Sequence, residues 1–214
     1  MDRQRLLGDI EGGLESLGLE HSAGFADALA DYVGLLDHWN RAYNLTAVRQ
    51  PKDMVARHLL DSLAVLPFIG AGPVLDVGTG AGLPGLVLAL AHREQPFVLL
   101  DASGKKTRFV EHAARQLGLD NVSVVRERVE DYRPGEEFPT VISRAFASLE
   151  AFASAAGHLV GPGGRLLAMK GELPESELAD LPAGWRLCGV HRLQVPGLDA
   201  RRHLLEFIRG EAAP

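Results

Sequence analysis

The chain has 214 residues, a length that suits one α/β domain with an added cap, and 46% of them are hydrophobic, ample for a core. A formal net charge of −6 weighs against non-specific grip on nucleic acid, which depends on neutralising phosphates. No apolar run approaches the ~20 residues of a membrane span, the start Met1-Asp-Arg-Gln-Arg5 has no signal-peptide pattern, and the single cysteine, Cys188, excludes an intrachain disulfide and a thiolate metal cluster, which together fit a reducing cytoplasm.

Residues 3–18 read as a helix weakened by Gly8, Gly12 and Gly13. Ser22 is placed to N-cap a stronger one, with Phe25, Ala28, Leu29, Tyr32, Leu35, Leu36 and Trp39 on a single stripe. After the linker Asn44–Arg49, Pro51 suits the first position of a further helix whose face carries Met54, Val55, His58, Leu59, Ser62, Leu63 and Leu66. His58 and Asp61 on that helix lack a third ligand nearby and read as hydrogen-bonding groups, not a metal site.

Val74-Leu-Asp-Val-Gly-Thr-Gly-Ala-Gly-Leu-Pro-Gly-Leu86 is strand, glycine loop and helix start in succession. That unit opens a doubly wound sheet, whose ligands lie at the carboxyl ends of its strands. Gly80 to Gly85 also spells the dinucleotide pattern GxGxxG. A pyrophosphate, however, wants bare amides at a helix N-terminus, whereas the acid Asp76 beside the loop better suits a ligand with an ammonium group, such as S-adenosylmethionine. Asp101, ending the strand Pro96–Asp101 ~20 residues beyond the loop, stands where a ribose-binding carboxylate belongs.

The next helix, from Ser103 to a stop at Gly118, opens with Lys105, Lys106 and Arg108. These have the wrong sign for its dipole, which points to a phosphate partner at the ligand edge. A strand over Asn121–Val125 leads to Val129 and Glu130, placed to offer an amide and a carboxylate to an adenine edge. The strand 138–146 brings Ser143 and Arg144 to the same edge. Gly161–Gly164 reads as a tight turn before a strand that ends in Lys170, and the runs 185–195 and 203–208 read as a closing hairpin. With Arg201, Arg202 and His203, the cations at the strand ends form a positive rim within an acidic total.

Several blocks resemble one family: Trp39–Thr46, Arg57–Ser62, Val74–Leu86, Leu100-Asp101, Gly104–Lys106, Arg128–Glu130, Ile142–Ser148, Met169–Gly171, Leu193–Pro196 and Arg202–Leu204. In order and over about residues 25–208, they are similar to the bacterial small-subunit rRNA guanine-N7 methyltransferases, also called glucose-inhibited division protein B. The resemblance implies a Rossmann-like S-adenosylmethionine-dependent methyltransferase: a mostly parallel doubly wound sheet, a C-terminal antiparallel hairpin over the last strands, and an N-terminal helical cap. The expected division is 1–70 for the cap and 71–209 for the methyltransferase domain, the two forming one compact unit. Methylation of a guanine N7 in a decoding-region loop of 16S rRNA, presented as structured RNA or a small-subunit particle, is the implied reaction.

Transferred residue by residue, the cofactor positions are Gly78, Leu83, Val129, Glu130 and Arg144; Gly80, Gly82 and Asp101 join them from the loop and strand-end readings. The RNA candidates are Lys105, Lys106, Arg108, Lys170, Arg201, Arg202 and His203, with Arg144 and Lys170 as positioning groups. Phe138-Pro139 departs from the family's expected Phe-Asp. Guanine N7 carries a lone pair and no proton, so the reaction needs no general base, and catalysis rests on alignment. Rival readings are a methyltransferase for a small molecule or protein, an NAD-dependent oxidoreductase using Asp101, and a non-catalytic ribosome-binding module.

Overall fold

The computed structural model describes residues 2–173, 177 and 184–209. Helix α1 (Arg3–Ser16) begins at Asp2, whose carboxylate accepts from the amides of Gln4 and Arg5. Helix α2 (Phe25–Tyr43) begins at Gly24, not at Ser22: Gly24 takes a φ of 83° to turn the chain, and Ser22 contributes only its carbonyl, to the amide of Phe25. The α2 stripe buries Leu29, Tyr32 and Leu36 as the spacing predicts.

Pro51 does open the next helix, but the segment is not uniform. One α turn, α3 (Pro51–Met54), passes into a π-helical stretch (Val55–Leu60) and then α4 (Asp61–Leu63). The Asp61 amide reaches back to the carbonyl of Ala56, and this wider turn rotates Leu60 into the core alongside Val55 and Leu59. A 3.6-residue period could not foresee Leu60 on the buried face.

The strands are β1 (Val74–Val77), β2 (Phe97–Leu100), β3 (Val122–Val125), β4 (Phe138–Ser143), β5 (Val160–Lys170), β6 (Trp185–Leu193) and β7 (Arg202–Arg209). They form one seven-stranded sheet in the order β3-β2-β1-β4-β5-β7-β6. β1 to β5 pair in parallel, and β7 returns antiparallel to β5 with β6 beside it, the expected closing hairpin. Helices α5 (Gly85–Ala91), α6 (Gly104–Gln116) and α7 (Leu149–Ala156) connect the parallel strands.

Both faces of the central strands are covered, so β1, β2 and β4 read as continuous apolar runs with alternate residues feeding two cores, while β6 at the edge exposes alternate residues. Val74, Leu99, Ile142, Leu167 and Leu204 face the cluster that also contains Leu6 and Ile10 of α1, Leu29 and Leu36 of α2, and Phe109 of α6. Leu75, Val77, Val141, Leu166 and Phe207 face the second cluster, with Leu149 and Phe152 of α7. The N-terminal helices therefore share their apolar contacts with one face of the sheet.

Gly161–Gly164 is corrected by the structure: these residues lie within β5, not before it. Phe138 pairs with Val160 and Thr140 with Arg165, so the glycine-rich run bulges out of the ladder between them. Pro139 sits on β4 at this irregularity, where its missing N–H costs no ladder bond. The Phe-Pro departure is thereby accommodated by backbone geometry.

Candidate active site

Strand order reverses between β1 and β4, and this switch point is where a doubly wound sheet opens its ligand crevice. Ser143 ties the two strand ends together by donating to the Val77 carbonyl at 2.7 Å. From β1 the chain enters the glycine loop. Gly78 has a φ of 69°, and a Cβ there would stand 2.8 Å from the Ala145 methyl, so the loop and the end of β4 approach as only glycine allows.

Asp76 is completely buried and points inward, bracing the loop. Its Oδ2 accepts from Thr79 Oγ1 at 2.6 Å and from the Gly85 amide at 2.9 Å. Burial pushes its pKa up to about 6 against those hydrogen bonds and the nearby Arg144 charge, which lower it. Its Oδ1 has no hydrogen-bond partner among the described residues, so the acid shapes the loop with one oxygen and keeps the other unpaired. The Gly85 amide at the start of α5 is committed to Asp76, and Gly82 to Gly85 are all buried. That helix end is closed to a pyrophosphate, which disfavours the dinucleotide reading.

A cavity of about 210 Å³ opens beside the loop, with Gly78, Asp101, Val129, Glu130, Ala145 and Phe146 on its walls. Asp101 takes one N–H on each carboxylate oxygen, from Gly80 at 3.0 Å and Ser103 at 2.8 Å, and keeps lone pairs for further donors. Lys106 Nζ lies 3.5 Å from Asp101 Oδ2. Gly78, Asp101, Val129 and Glu130 are therefore brought together as the sequence implies. Gly80 is half-buried behind Asp101, while Gly82 and Leu83 lie buried beneath the loop, Leu83 in the helical-side core.

Arg144 is not on that cavity's wall; it lines an adjoining one of about 360 Å³ with Arg57, His58, Asp61, Lys170 and Arg202. Its neighbours Ala145 and Phe146 line the first cavity, so the end of β4 separates the two. Asp61, with a side chain only 3% exposed, bridges Arg144 Nη1 at 3.3 Å and Arg202 Nε at 2.9 Å. His58 is held neutral: burial first, then the Arg144 charge, lower its pKa to about 4. Its Nδ1 faces the Arg57 carbonyl and its Nε2 the Thr46 hydroxyl, each at 2.9 Å. Among the described residues no cluster of metal-binding side chains occurs.

The expected cationic rim is partly spent inside the protein. Lys170 Nζ donates to the carbonyls of Phe146 and Ala147 and to Glu177, and His203 is buried against the Gly171 carbonyl. Lys105, Arg108 and Arg201 are exposed. Asp61 and Tyr32, which donates to the Ala81 carbonyl of the glycine loop, escaped the sequence reading as site residues. The one signal for Asp61 was its place beside His58, as the second of two hydrogen-bonding groups on that helix.

The fold is that of solved S-adenosylmethionine-dependent methyltransferases. The glycopeptide N-methyltransferase MtfA, solved in complex with S-adenosylmethionine, superposes with a TM-score of 0.60 at 12% identity, over 73% of this chain and 88% of that one. A methyltransferase from Geobacter sulfurreducens in complex with S-adenosylhomocysteine gives 0.55 at 12% identity, over 83% and 98%. Sequence comparison is more specific. The model of the family described as rRNA small subunit methyltransferase G, GidB, matches residues 26–205. Proteins called ribosomal RNA small subunit methyltransferase G are 52% identical in Alkalilimnicola ehrlichii, over 94% of this chain and 92% of the relative, and 47% identical in Marinobacter nauticus, over 95% of both. The chain belongs to the rRNA small subunit methyltransferase G family.

Proposed function

We propose that this protein transfers the methyl group of S-adenosylmethionine to N7 of one guanine in 16S rRNA, in the decoding-region loop of the small ribosomal subunit and in a cytoplasmic setting. The observation that carries the reading is the pair of adjoining cavities at the switch point. One is lined by Gly78, Asp101 and Glu130; the other is lined by cations, and they share the end of β4.

The first cavity fits the methyl donor. The close approach of Gly78 to Ala145 forms a cradle that a Cβ would fill, and Asp101 offers carboxylate lone pairs of the kind that accept from ribose hydroxyls. Val129 and Glu130 supply an amide and a carboxylate at the cavity's far wall. Arg144 suits the carboxylate of the donor's amino-acid end, and the buried Asp76 charge its ammonium. When bound, S-adenosylmethionine supplies a sulfonium-activated methyl group that a ring nitrogen without a proton attacks directly. The chain's residues then have to orient and exclude water, not remove a proton. Residues 1–70 serve as a cap that carries one wall of the second cavity, Arg57, His58 and Asp61, to the edge of the domain formed by 71–209.

The net charge of −6 leaves little non-specific affinity, which favours a pre-structured RNA or particle recognised by shape as well as charge. The test uses small subunits and 16S rRNA from cells lacking the gene, incubated with the pure protein and methyl-labelled S-adenosylmethionine. Label mapped to one guanine by cleavage selective for N7-methylguanine is the expected result. Cofactor binding without label in either RNA would point to a small-molecule or protein acceptor instead.

A further inference from the structure

The second cavity contains four cationic side chains, and their hydrogen bonds distinguish them. Lys170 has three N–H donors, and the Phe146 carbonyl, the Ala147 carbonyl and Glu177 take them at 3.2, 2.8 and 3.4 Å. It has none left for a substrate. Arg57 is exposed at the cavity mouth, a long side chain with no hydrogen-bond partner among the described residues. Arg144 gives a single nitrogen, Nη1, to two long contacts, the Arg57 carbonyl at 3.4 Å and Asp61 Oδ2 at 3.3 Å, which leave its plane free to turn.

Arg202 differs from all of these. It opens β7, and its Nε donates to Asp61 Oδ1 at 2.9 Å while its Nη1 donates to the Arg201 carbonyl at the same distance. Two fixed bonds on a planar guanidinium set the direction of the third nitrogen, Nη2, which has no partner among the described residues. A donor held in this way, beside a cavity large enough for a base, is how proteins read a base edge.

We propose that the cavity between Arg144 and Arg202 receives the target guanine, that Arg202 reads its 6-oxo group, and that Asp61 is the positioning residue which aligns both arginines. This rests on the guanine-N7 reading above. The chemistry is selective. N7 must stay free for attack, so recognition falls on the adjacent O6, an acceptor that a guanidinium matches. Adenine places an amino group there, donor against donor, and is rejected. His58 adds no competing charge at the wall because its burial and the Arg144 charge beside it hold the ring neutral. Asp61 holds two like charges together with its two oxygens. An amide in its place turns an NH2 donor toward one of the two guanidinium groups and cannot hold both in this geometry.

The test compares wild type, Arg202→Gln, Asp61→Asn and the double variant. It measures single-turnover methyl transfer to small subunits from cells lacking the gene, and S-adenosylmethionine affinity by calorimetry. Arg202→Gln should slow transfer on the order of tenfold to a hundredfold at saturating subunits, with unchanged cofactor affinity and unchanged salt dependence. Asp61→Asn should slow transfer similarly and weaken the cofactor several-fold through Arg144. The double variant should be no slower than Asp61→Asn alone, since the carboxylate acts through Arg202.

Multiplying losses in the double variant would make Asp61 a merely structural residue and overturn its positioning role. A shallower salt dependence with only KM raised in Arg202→Gln would put Arg202 on a phosphate, overturning the base-reading assignment; full wild-type rates in that variant would do the same. Arg202→Gln changes a partly exposed side chain and decides the point even if Asp61→Asn fails to fold. No transfer by wild type to any subunit guanine would sink the guanine-N7 reading itself, a result distinct from all of these.

Discussion

Tyr32, in the middle of α2, donates its hydroxyl to the carbonyl of Ala81 at 2.8 Å, fastening the N-terminal helices to the glycine loop. The ring is fully buried, and burial pushes its phenol well above the usual tyrosine range, so it remains a donor at any working pH. Tyr32→Phe keeps the packing but leaves the Ala81 carbonyl without this partner, at a cost of about 1–3 kcal/mol. Urea unfolding should register that loss, and cofactor affinity should fall with it as the loop loosens. Unchanged affinity would show that the loop holds its shape without the cap.

Gly78→Ala should remove cofactor binding first. A residue with a side chain at a φ of 69° carries strain of about 1–3 kcal/mol, and the new methyl would meet Ala145 at 2.8 Å. Calorimetry should show S-adenosylmethionine affinity falling by tenfold or more, while the helical content measured by circular dichroism stays at the wild-type level.

The two lysines opening α6 should behave differently. Lys105 is exposed, whereas Lys106 stands 3.5 Å from Asp101, which lines the cavity beside the glycine loop. Lys105→Glu should weaken RNA methylation and spare cofactor affinity. Lys106→Glu sets a carboxylate beside Asp101 and should reduce both. Equal effects of the two substitutions on both measurements would remove the distinction and with it the case for an RNA-facing Lys105.

Two buried groups oppose each other in acid. The His58 pKa falls from 6.5 unfolded to about 4 folded, so its neutral packing costs stability as pH drops from 6.5 to 4, when only the unfolded chain takes up the proton. The Asp76 pKa rises from 3.8 to about 6, so the folded state takes up that proton first and gains stability over nearly the same interval. Each contribution is on the order of 3 kcal/mol, and they largely cancel. Denaturant midpoints of the wild type should change little between pH 6.5 and 4 on their account. Asp76→Asn should become steeply acid-sensitive in that window, and His58→Gln should gain stability relative to wild type as the pH falls.

The sequence by itself determined the parallel sheet and brought out the loop after β1, Asp101 and Glu130, which the fold gathers around one cavity. These follow from local chemistry: glycine spacing, apolar runs and an acid at a strand end are properties of a few neighbouring residues. The sequence also carried the blocks that place the chain in its family. Tertiary structure alone decided what each charge does. Asp61 meets Arg144 across 83 positions and Arg202 across 141, and no local period encodes such a meeting. Lys170 and Arg202 look alike in the sequence, as cations near strand ends, yet the fold saturates one with carbonyls and leaves the other a directed nitrogen. The same holds for Leu60 and for Gly161–Gly164, where a π turn and a bulge altered the expected face and strand start. Backbone preference acts over a turn or a strand; hydrogen bonds and desolvation between distant side chains exist only once the chain has brought them together.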